Sequence, residues 1–96
     1  MIKTLATVEK NPFDLLDYDI DYIRWLRDQD AIISAEAAVE SSDVTFQVGL
    51  VEFNDEVVKV WVSGGVDGEQ SDIRVDAMTE LGRLKRVCFQ MRIRDC

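Results

Sequence analysis

The sequence predicts an all-β chain folded as an immunoglobulin-like β-sandwich of about seven strands. Three observations support this. Apolar and polar residues alternate with period two in several short runs. Turn-forming clusters separate these runs about every 8–12 residues. The length of 96 residues leaves room for a single domain, taken as residues 1–96, with one core.

The first strand is expected from Ile2 to Val8, and Asn11-Pro12 marks the turn after it. Leu16, Tyr18, Ile20 and Tyr22 then alternate with Asp17, Asp19 and Asp21, apolar inward and acid outward. Ile23 to Arg27 suits a short helical turn, and Asp28-Gln29-Asp30 turns the chain. Ala31 to Val39 reads as a strand, although its alanines suit a helix as well. Glu40 to Asp43 is a turn. Val44 to Phe53 is strand-like, interrupted by Gln47 and Gly49.

Asn54-Asp55-Glu56 turns into Val57 to Val62, the densest β-branched run. Ser63 to Gly68 is the strongest loop signal, because Gly64-Gly65 tolerates positive φ. Ile73, Val75 and Ala77 alternate with Arg74 and Asp76. A turn at Glu80-Leu81-Gly82 leads to the cleanest strand, where Val87, Phe89, Met91 and Ile93 alternate with polar neighbours. The last two strands are expected to pair across that turn.

Composition excludes much chemistry. The chain has no histidine, so the commonest general base and metal ligand is missing. Ser-His and Cys-His nucleophile pairs are likewise excluded. Two cysteines cannot supply a four-thiolate zinc site. The glycines fit neither dinucleotide nor phosphate-loop spacing. Paired carboxylates are plentiful by chance among 19 acids, but a small sandwich offers little room for a glycosidase cleft. No enzyme, cofactor or metal is expected. No run of 18 apolar residues is present, and the opening residues lack the apolar centre of a signal peptide.

Asp17, Asp19 and Asp21 resemble a calcium-loop spacing superficially. No glycine follows to turn the chain, and a strand would space them ~6.8 Å apart along one face. They read as a solvated strand face. With Val58, Val60 and Val62 inward, Trp61 faces outward beside Lys59, whereas Trp25 is expected to cap one end of the core. Cys88 and Cys96 share strand parity and would lie ~27 Å apart on a straight strand, too far for a disulfide. Both are expected to be free thiols within one chain, with an intermolecular bridge through Cys96 as the alternative.

The net charge of −8 is uneven. Residues 1–60 hold 13 acids and 5 bases, whereas residues 61–96 hold 6 of each. The overall sign disfavours nucleic acid as a partner. The late bases Arg92 and Arg94 alternate with core positions and should point outward with Cys88 and Gln90. A position for that last strand at a sheet edge would add unpaired backbone groups to the charge.

Three stretches resemble a family of small phage virion proteins, the fiber-tail adaptors. The first is Lys10-Asn11-Pro12, running into Leu16-Asp17-Tyr18-Asp19-Ile20-Asp21-Tyr22 and Trp25-Leu26. The second, and most specific, is Val60-Trp61-Val62-Ser63-Gly64-Gly65 with Gly68-Glu69. The third is Gly82-Arg83 leading into Phe89-Gln90-Met91-Arg92-Ile93-Arg94. The chain departs from the family pattern at Asn11, where Asp is usual, and at Tyr22, where Trp is usual. A threonine-rich strand is replaced by Ile73 to Met78.

The resemblance implies an immunoglobulin-like module, without catalytic residues, that joins fibers or neck components to a tail. It implies several copies per particle, contacts with other phage tail, neck or fiber proteins, assembly in the host cytoplasm and residence in the virion tail or neck. Together with the outward-facing residues, it marks Trp61, Ser63, Gly64, Gly65, Arg92, Arg94 and Cys96 as the expected interface. Two other readings remain: a stand-alone module that binds a protein or glycan, and an acidic mimic of DNA.

Overall fold

A computed structural model describes residues 4–96. It contains seven strands in two sheets: β1 Thr4–Lys10, β2 Leu16–Asp21, β3 Ile32–Val39, β4 Gln47–Phe53, β5 Val57–Ser63, β6 Gln70–Thr79 and β7 Leu84–Ile93. One sheet runs β1-β7-β6-β3 and the other β2-β5-β4. The all-β sandwich expected from periodicity is therefore present. The start of the first strand at Ile2 lies outside the described residues.

Period-two patterning sets the inner faces. Val58, Val60 and Val62 of β5 are fully buried, and so are Ile73 and Val75 of β6 and Met91 and Ile93 of β7. Each such side chain contributes roughly 1.5–3 kcal/mol through burial. Tyr22 ties the two sheets together, donating its hydroxyl to the Val75 carbonyl at 3.1 Å. Burial pushes the Tyr22 pKa well above its ordinary value. Trp25 packs at the end of the core, edge-on to Tyr22 and beneath the Arg83 guanidinium, 4.1 Å from the ring centre.

The β6–β7 hairpin forms as expected: Met78 pairs with Leu84, and Gly82 takes φ 82° in the turn. The expected helical turn is a single hydrogen-bonded turn from Tyr22 to Leu26, with Leu26 N–H donating to the Tyr22 carbonyl at 3.0 Å. The fourth strand starts at Gln47 rather than Val44. Phe46 still reaches the core from the preceding extended segment, so its burial mimics a strand position in the sequence.

The last strand does not meet the condition of an edge position, and one expectation about it, an outward Cys88, is corrected. β7 is not a sheet edge, because β1 pairs with it in parallel, from Thr4 opposite Cys88 to Lys10 opposite Ile93. Cys88 does not present its thiol outward, being 1% exposed. It has outer-face parity, but it sits in the interior of the sheet between Thr4 of β1 and Arg74 of β6. Burial pushes its thiol pKa up. Both cysteines are free.

Candidate interaction surface

One end of the sandwich gathers the β1–β2 loop, the β3–β4 connection, the β5–β6 loop and the C-terminal residues. Strand register requires this convergence: Lys10 lies opposite Ile93, Leu16 opposite Val62, and Gln70 opposite Arg92. These segments are hydrogen-bonded to one another, not merely adjacent.

The β5–β6 loop is built on three glycines with positive φ: Gly64 at 77°, Gly65 at 106° and Gly68 at 93°. Only glycine adopts such angles without strain. The loop then crosses the core's end, where Gly68 N–H donates to Ile93 at 2.9 Å and Ile93 N–H donates to Glu69 at 2.8 Å. Glu69 closes the loop with its side chain. Its carboxylate accepts Thr45 N–H at 3.0 Å, Thr45 Oγ1 at 3.0 Å and Val66 N–H at 3.0 Å. Desolvation pushes its pKa up, but these bonds outweigh that and hold it below the usual carboxylate range. The motif from Trp61 to Glu69 is thus largely a recipe for a rigid loop.

The C-terminal residues continue the same network. Arg94 N–H donates to Lys10 at 2.9 Å, and Asp95 N–H donates to Asp67 Oδ1 at 2.8 Å. Asn11 Nδ2 reaches Asp95 Oδ1 at 3.4 Å and Cys96 Sγ at 3.5 Å.

All seven residues expected at an interface lie at or near this end, but they divide among different surfaces. Trp61 faces outward from the three-stranded sheet, half-buried, and donates Nε1 to Glu52 at 2.9 Å. Arg92 lies half-buried on the outer face of the opposite sheet, across from Glu9 and Gln70. Arg94 is exposed and 3.8 Å from the Glu9 carboxylate. Ser63, Gly64 and Gly65 are half-buried in the loop's base, while Cys96 is exposed. Gly65 serves packing, because a Cβ there would meet Ile93 Cγ1 at 2.8 Å.

The three aspartates of β2 are exposed. Asp17 pairs with Lys59 at 3.3 Å, and Asp21 accepts the N–H of Ile23 at 2.9 Å. No group of residues suited to holding a metal ion occurs among the described residues.

Sequence reasoning missed two residues here. Lys10 is 2% exposed, and its Nζ donates to the carbonyls of Asn11 and Asp14, each at 2.8 Å. Burial lowers its pKa, partly offset by the Asp14 carboxylate. Phe13 is 93% exposed at the tip of the loop that Lys10 holds. The available signal was an aromatic residue inside a Pro-containing turn, where no strand face exists to bury it.

The family model for podophage GP4 fiber-tail adaptor protein gp77 matches residues 10–92. No curated protein matches the chain significantly.

Proposed function

The chain belongs to the podophage GP4 fiber-tail adaptor family, and from that premise we propose that it joins a tail fiber to the phage tail through protein–protein contacts, with the loop end as one docking surface. The observation that supports this role is the cross-bonding of the β1–β2 loop, the β5–β6 loop and the C-terminal residues. A preformed surface loses little conformational entropy on binding. An adaptor also needs contact surfaces set apart, and the molecule measures 44 × 25 × 19 Å.

In this reading, Trp61 is an anchor beside the loop, and Arg92 and Arg94 make polar contacts at the flank of that end, on the outer side of the four-stranded sheet. Ser63, Gly64 and Gly65 set the loop's shape, and Cys96 sits within the contact. Exposed ion pairs contribute only ~0–1 kcal/mol each, so apolar contacts supply most of the affinity. Backbone pairing from Cys88–Ile93 is not available, because β1 and β6 occupy both sides of that stretch. The protein folds in the host cytoplasm and enters the virion tail in several copies.

The test is complementation of phage particles with a Trp61→Ala, Arg92→Glu double variant whose melting temperature matches wild type. Loss of the chain or of fibers from the particles is expected. Normal fiber attachment would place the interface elsewhere.

A further inference from the structure

We propose that Phe13 is an aromatic anchor that inserts into an apolar pocket, rimmed by lysine or arginine, on the protein met by the loop end. The proposal rests on the adaptor reading and names the chemistry of that partner.

The β1–β2 loop is short, and its conformation is set by its own bonds. Phe13 N–H donates to Asn11 Oδ1 at 2.9 Å, and Asp14 N–H donates to the Asn11 carbonyl at 2.9 Å. Pro12 fixes one φ angle. From inside, the Lys10 ammonium grips the carbonyls on either side of Phe13, those of Asn11 and Asp14. A buried amine is costly to desolvate, and here it is used to hold a four-residue turn. The result is a rigid loop whose most prominent side chain is an almost fully exposed phenyl ring.

Single exposed apolar residues are ordinary on protein surfaces. This one is not alone: Leu15 is 62% exposed two residues later, and Val66 is 58% exposed in the adjoining loop. A large ring on a preorganised loop binds with little entropy loss, which is the usual character of an interface hot spot.

The charge around it specifies the partner. Asp14, Asp43, Asp67 and Asp95 belong to the segments that converge here, and none is in an ion pair among the described residues. The bases of this end are turned away from the loop tip: Lys10 is buried, Arg94 lies beside Glu9, and Arg92 is half-buried on the outer face of the four-stranded sheet, between Glu9 and Gln70. A neighbour with an acidic rim would be repelled, whereas one with basic residues around an apolar pocket is complementary.

The experiment complements phage particles lacking the chain with wild type, Phe13→Ser or Phe13→Leu, and quantifies chain and fibers per particle. Each purified variant is also melted. Phe13→Ser should melt as wild type does and weaken incorporation or fiber retention by about thirty-fold, the size of a hot-spot loss. Phe13→Leu should lie between the two. Fully assembled Phe13→Ser particles would overturn the anchor and leave the adaptor reading standing. A folding defect in Phe13→Ser would also overturn it, because the ring would then serve the chain's own core. Absence of the wild-type chain from particles would overturn both readings.

Discussion

Gly65 lies against Ile93 so closely that a Cβ built on the glycine meets Ile93 Cγ1 at 2.8 Å and Phe46 Cβ at 3.2 Å. The backbone there has φ 106°. The Gly-rich loop is therefore seated on the end of the core and not held out in solvent. Gly68 has φ 93° with nothing within 4 Å of a Cβ. Gly68→Ala should cost about 1–3 kcal/mol from backbone strain alone. Gly65→Ala should cost a further ~1–3 kcal/mol from overpacking. Urea denaturation of both variants checks this, and equal losses would mean that the loop does not rest on Ile93.

Phe89 is 3% exposed and stacks obliquely on Tyr18, with ring centres 5.8 Å apart. Phe89→Ala should destabilise the domain by ~3–5 kcal/mol. Gln90 is half-buried on the opposite face, where its Oε1 accepts from Thr7 Oγ1 at 3.2 Å. Gln90→Ala should change stability by less than about 1 kcal/mol. Similar losses in chemical denaturation would invert the strand phase.

The Glu69 cradle predicts a pH signature. Its folded pKa is below the ordinary value of 4.5. A carboxylate depressed in the folded state stabilises fully above its unfolded pKa and loses that contribution as pH falls through the folded pKa. Wild type should therefore lose stability below about pH 4.5 more steeply than Glu69→Gln. Parallel stability–pH curves for the two proteins in that range would show that the carboxylate bonds contribute nothing.

The two thiols should differ sharply in reactivity. Cys88 is enclosed and its pKa raised by burial, whereas Cys96 is exposed. An alkylating reagent should add one label to the native protein and two after denaturation, as read by intact mass. Two rapid native labels would mean that the sheet around Cys88 opens.

The strand faces were legible wherever alternation was strong and local. Val57–Val62 and Val87–Ile93 show their buried phase directly, and outward Trp61 follows from three inward valines. Pairing partners were less legible. Nothing within Val87–Ile93 says that an N-terminal strand will lie parallel to it, so the sequence left its edge position open and Cys88 was misread as outward. The buried Lys10 was also hidden, because its acceptors are backbone carbonyls that carry no residue identity. At the loop end, the glycines announced the loop, whereas the exposure of Phe13 depends on how Lys10 and Asn11 fold the turn.

The most direct test of the adaptor role is a reconstruction of the phage particle at a resolution that shows side chains. The sandwich should lie between tail and fiber, with Trp61, Arg92, Arg94 and the Ser63–Gly68 loop against another protein chain. A sandwich whose loop end faces solvent, or a particle that lacks it, would contradict the account.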